Sequence, residues 1–140
     1  MAPDQPGIDR HTRHYRSGSV IFMEGEPGHE MFIVLHGSVL LYQVVGKKIR
    51  EETAVTFGQA VLEIATVRDG DFFGEMAVLD GRPRSTCAVA LSNLDVVVLD
   101  EANFDQVISG RPEFALRIMR EFSRRVRDLE SKIRAQGLSR

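Results

Sequence analysis

A chain of 140 residues with 43% hydrophobic content suits one compact domain with a real core, and nothing in it suggests a second. Its opening Met1-Ala2-Pro3-Asp4 is too polar to begin a signal peptide, and no apolar run approaches the roughly 20 residues that cross a bilayer, so a cytoplasmic protein with no membrane partner is expected. The net charge of −2 hides an asymmetry: residues 111–140 carry nine Lys/Arg against four Asp/Glu, while the rest carries nine against sixteen.

Residues 1–15, rich in Pro, Asp, Gly, His and Arg without apolar periodicity, read as a lead-in. His11 and His14 stand three apart, but no acid or cysteine completes a metal site around them. From residue 16 short apolar runs alternate with glycine-rich turns: Ser19 to Met23, the turn Glu24-Gly25-Glu26-Pro27-Gly28, Met31 to Leu35, then Ser38 to Tyr42. This is a meander of strands of about five residues, the pattern of a sandwich or jelly roll. The polar stretch from Val44 to Ala60 reads as an enlarged hairpin before a strand at Val61 to Val67, and two more strands are expected at Cys87 to Leu91 and Asp95 to Leu99, the last nearly continuous in apolar residues and therefore central. Cys87, the single cysteine, cannot form an internal disulfide and is simplest as a small strand residue.

After residue 100 the period changes. Phe104, Val107 and Ile108 suit a short helix ended by Ser109-Gly110, and Pro112 opens a longer one. Along that helix Ala115, Met119, Phe122, Val126, Leu129 and Ile133 step by four and three, a heptad seam, with Phe114 and Ile118 beside it. Its arginines can touch nucleic acid or a membrane surface, but arginines spread along a helix are more often a solvated face with partners one turn away. The expected domains are thus a lead-in over 1–15, a β-roll over 16–100 and C-terminal helices over 101–136: mainly β, an antiparallel β jelly roll flanked by α-helices.

The chemistry concentrates between Gly70 and Thr86. Gly74 lets the backbone turn and approach a ligand closely, just before the helix-compatible run Glu75 to Leu79. The free N–H groups of a helix starting there favour an anion, and Arg84 adds a planar, permanently charged fork that matches phosphate oxygens. Pro83 disfavours continuing the helix, so a strand that carries Arg84 into the cavity is expected next. Glu75 needs a hydrogen-bond donor rather than a phosphate, and a ribose hydroxyl is the simplest one; alone, the Gly-Glu pair reads more simply as a first-turn acid complementing a helix dipole.

These residues stand in one order, Phe73-Gly74-Glu75, an apolar residue, Ala77, then Pro83-Arg84 and the small Ser85, and this resembles the phosphate-binding cassette of cyclic nucleotide-binding domains. The family includes the catabolite activator protein, protein kinase A regulatory subunits and cyclic-nucleotide-gated channels, and the likeness covers roughly residues 16–134. The resemblance implies an eight-stranded antiparallel roll, no enzymatic activity and no cofactor, and as ligand a 3′,5′-cyclic nucleotide, cAMP or cGMP. It assigns Glu75 to the ribose 2′-hydroxyl and Arg84 to the cyclic phosphate, with main chain from Gly74, Met76 and Ala77, and it makes Ser85 the position that reaches the phosphate or a guanine. It also implies a C-terminal helix that lids the nucleotide and pairs with its twin in a homodimer, Arg125 meeting the ribose-side Glu and Leu129 lying on the base; a leucine there departs from a base-contacting Thr. The chain stops seven residues after Ile133, so a sensor without a DNA-binding domain, acting on an effector protein in trans, is expected. The alternatives are a dimerisation unit with a vestigial site and a cupin-like metalloenzyme, which lacks the His-x-His pair it would need.

Overall fold

A strand whose residues alternate apolar and polar has one face to bury, and two such sheets bury each other. The computed structural model describes residues 11–45 and 60–137, and it divides into two units, Met1–Asp100 and Glu101–Arg140. The first unit holds β1 (Thr12–Tyr15), β2 (Val20–Phe22), β3 (Glu30–His36), β4 (Val39–Val45), β5 (Ala60–Val67), β6 (Phe72–Phe73), the short helix α1 (Glu75–Asp80), β7 (Cys87–Ala90) and β8 (Leu94–Asp100). One sheet has the order β1-β8-β3-β6 and the other β2-β7-β4-β5, with every pairing antiparallel.

The inner faces follow the period of two: Phe32 and Val34 on β3, Val39 and Leu41 on β4, Ala88 and Ala90 on β7, and Leu94, Val96 and Val98 on β8 share one core with Phe22 and Phe73. β8 sits inside its sheet, as its apolar run predicts, and Val97 and Leu99 on its other face are buried too. Cys87 is buried as an ordinary strand residue, its Sγ accepting the Glu24 N–H at 3.3 Å.

Two differences from the sequence reading bear on the site. Thr12–Tyr15 is a strand on the edge of β8, so the roll begins before residue 16. The polar Thr-Arg-His-Tyr run carries little apolar signal, but backbone pairing needs none, and Tyr15 packs against the core. Arg84 is not in a strand either: β7 starts three residues later, at Cys87. The pairing of β2 with β7 ends at Phe22 opposite Ala88, because the chain then turns away, and Arg84 pairs with the turn instead. β4 and β5 form the expected hairpin, with Val45 opposite Ala60; residues 1–10 of the expected lead-in and 46–59 of the enlarged turn lie outside the described residues.

The second unit contains α2 (Glu101–Gly110) and α3 (Pro112–Ala135), which contact each other. Proline stands at the start of α3, where its missing N–H costs nothing. No described helix is long and apolar enough to cross a membrane.

Candidate functional site

Two of the connections that pass between the sheets build the site: residues 23–29 lead from β2 to β3, and α1 with the residues that follow it leads from β6 to β7. They meet at Arg84, whose N–H donates to Glu26 O at 2.8 Å and whose carbonyl accepts from Gly25 N–H at 2.9 Å. The main chain of Arg84 is therefore held like one rung of a ladder, which points its side chain reproducibly.

Arg84 is buried, at 7% exposure, with no ion pair among the described residues. Its Nη1 donates to Glu30 O at 2.8 Å and to Gly74 O at 3.0 Å, its guanidinium carbon lies 4.1 Å from the centre of the Phe22 ring, and Nε is buried without a hydrogen-bond partner. Burial draws its pKa below the ordinary value, opposed by the charges of Glu30, Glu26 and Glu75, but a guanidinium remains charged throughout the physiological range. A buried cation with a spare donor is a strong point for an anion, since leaving such groups unpaired is costly.

Gly74 caps α1 at φ 80°, a left-handed conformation that suits glycine, and no side chain caps the helix start. A Cβ at this glycine would stand 3.0 Å from Arg84 Nη1 and 3.1 Å from the Phe32 ring, so both its backbone angle and its surroundings favour its having no side chain. Glu75 and Ala77 are buried on α1, whereas Met76 is exposed and meets Ser85 Oγ at 3.5 Å. Gln43 on β4 donates from Nε2 to the Ser85 carbonyl at 2.8 Å, which ties the residue after Arg84 to the second sheet. Gly74, Glu75, Met76, Ala77, Arg84 and Ser85 thus all belong to the first unit, on α1 and its flanks.

Sequence reasoning missed Phe22, Gly28, Glu30 and Gln43. The turn at residues 24–28 carries two glycines and a proline, which signalled a turn but not what the turn encloses. Glu30 acts through its carbonyl, which no side-chain identity announces.

Arg125 and Leu129 are on α3. Arg125 is buried and donates from Nε to Glu121 Oε2 at 3.0 Å, and Arg124 binds the same carboxylate and also Asp128, at 3.3 Å. Burial pushes the Glu121 carboxyl up, but hydrogen bonds and charge from Arg124 and Arg125 outweigh it and hold the group below its usual value. Arg117, Arg120, Arg124 and Arg127 are exposed on α3, and Met119, Val126 and Ile133 along the seam are 60%, 54% and 45% exposed.

The family model for the cyclic nucleotide-binding domain matches residues 12–111. Among curated proteins, the chain is 28% identical over 113 residues to a CRP-like cAMP-activated global transcriptional regulator of Mycobacterium tuberculosis, an alignment that takes in 79% of this chain and 44% of that protein. It is 34% identical over 104 residues to a cyclic nucleotide-gated potassium channel of Mesorhizobium japonicum, covering 74% of this chain and 24% of the channel. The chain therefore spans less than half the length of either relative. Among solved structures, the catabolite activator protein of Thermus thermophilus matches at 25% identity with a TM-score of 0.70, over 90% of this chain and 54% of that one. A cyclic nucleotide-binding domain from Methylobacillus flagellatus shares the fold at 24% identity and a TM-score of 0.72, over 94% and 71% of the two chains.

Proposed function

Because this chain belongs to the cyclic nucleotide-binding domain family, we propose that it is a sensor that binds a 3′,5′-cyclic nucleotide, cAMP in the first instance, and passes its occupancy to an effector protein. The observation that carries this reading is Arg84: a buried guanidinium with an unpartnered Nε, inside the segment that the family model covers. In this reading Arg84 meets the cyclic phosphate together with main-chain N–H groups of Gly74, Met76 and Ala77, and Ser85 adds a hydroxyl. Glu75 accepts from the ribose 2′-hydroxyl. Arg125 and Leu129 serve the ribose and base side, and the exposed seam of α3 pairs with a second copy. The buried charges of Arg84 and Glu75 then suit a ligand that brings an anion to one and a donor to the other.

Calorimetric titration with cAMP, cGMP and linear AMP tests the reading directly. Saturable binding of a cyclic nucleotide, with linear AMP much weaker, is the expected result; heat signals no different from buffer for all three would end it. The ribose assignment has its own test. Glu75→Gln keeps the shape and an acceptor oxygen but removes the charge, so it is expected to weaken cAMP by about 1–2 kcal/mol while hardly changing the affinity for 2′-deoxy-cAMP. Equal losses with both ligands would show that Glu75 does not touch the 2′-hydroxyl.

A further inference from the structure

On the reading that Arg84 meets the ligand phosphate, we propose that Phe22 and Gly28 are positioning residues that set nucleotide affinity by fixing where the Arg84 guanidinium lies. The ring of Phe22 forms a floor beneath it. At 4.1 Å between guanidinium carbon and ring centre, the planar cation lies within the attractive range of the π face, and the Phe32 ring follows at 5.7 Å. Phe22 itself packs against the stacked pair of Phe32 and Phe73, with ring centres at 5.9 and 6.0 Å, so the floor is part of the packed core.

Gly28 supplies the space. A Cβ on this buried glycine would stand 2.2 Å from Arg84 Nε, 2.4 Å from the guanidinium carbon and 2.8 Å from Nη2. Any side chain there displaces the guanidinium rather than the backbone, since the far end of a side chain yields most easily. Gly28 is not among the glycines with positive φ, so alanine at this position meets no backbone strain and acts as a clean steric probe. Nη1 is tied to two main-chain carbonyls, and this anchors one end of the fork. The remaining donors, including the unpartnered Nε, are thus held ready before any ligand arrives, and ordering them during binding costs little.

The test is a set of cAMP titrations, with thermal unfolding measured alongside. Phe22→Leu is expected to weaken binding about 5- to 30-fold, the scale of a desolvated cation–π contact. Gly28→Ala is expected to approach the loss seen for Arg84→Ala while unfolding at nearly the wild-type temperature. Leu41→Ala, in the same core but on β4, serves as the control: it lowers the unfolding temperature without changing affinity. In an Arg84→Ala background, Phe22→Leu is expected to cost no further affinity. Unchanged cAMP affinity in both Phe22→Leu and Gly28→Ala, or a Phe22→Leu loss that persists in full without Arg84, overturns the proposal and leaves the nucleotide assignment standing. A wild-type protein that binds no cyclic nucleotide removes the assignment, and the proposal with it. If Phe22→Leu does not fold, Gly28→Ala decides alone.

Discussion

Arg84→Ala is expected to weaken cyclic nucleotide binding by about 2–3 kcal/mol, roughly 30- to 150-fold, the scale of a charge-assisted pair of hydrogen bonds. The size follows from where the group sits. An exposed arginine would lose little, because water competes for the phosphate and screens the charge. Here Arg84 is 7% exposed, and its Nε makes no hydrogen bond among the described residues. Truncation also removes the donor to Glu30 O and Gly74 O, so unfolding must be followed in parallel to separate lost affinity from a loosened turn. Equal affinity in wild type and variant would show that the phosphate lies elsewhere.

A second large effect is expected for Val126→Glu on self-association. Val126 is 54% exposed in the single chain, in the middle of a strip that also includes Met119, Phe122, Leu129 and Ile133. If two copies of α3 pair along this strip, the substitution places two like charges in a desolvated seam, a penalty of at least about 3 kcal/mol, enough to convert a micromolar dimer into a monomer. Sedimentation at several protein concentrations should show wild-type dimer and variant monomer. Repeating it with saturating cAMP tests linkage, since pairing that tightens on ligand binding must be matched by tighter ligand binding in the dimer. A wild-type monomer at every concentration would return the strip to the solvated surface of one chain.

How much of this was legible beforehand depended on whether a residue acts through its side chain or its backbone. Strands β3, β4, β5 and β8 announced themselves by alternating or continuous apolar residues, and α3 by its opening proline and long periodicity. Strand β1 did not, because an edge strand held by backbone bonds can be polar on its outer positions. Gly74, Glu75 and Arg84 stood out through the order of the whole segment from Phe73 to Ser85, which resembles a family cassette, whereas the Gly-Glu pair alone read as an ordinary first-turn acid. What orders Arg84 was hidden, since a carbonyl at Glu30, an aromatic floor at Phe22 and an absent side chain at Gly28 are separated from it by more than fifty residues and leave no local trace. Expecting Arg84 in a strand failed for the same reason: its pairing partner is a turn, and pairing across a fold is a tertiary fact.

Cys87 makes the molecule its own stopwatch. This residue is 1% exposed, and its sulfur accepts the N–H of Glu24, in the turn whose next two residues clasp Arg84. A thiol reagent in solution cannot reach it until β7 parts from its neighbours or that turn lifts, so the labelling rate of this single cysteine counts openings of the roll at the end that holds the guanidinium. No tag or engineered residue is required, and a ligand that fastens this end slows the count.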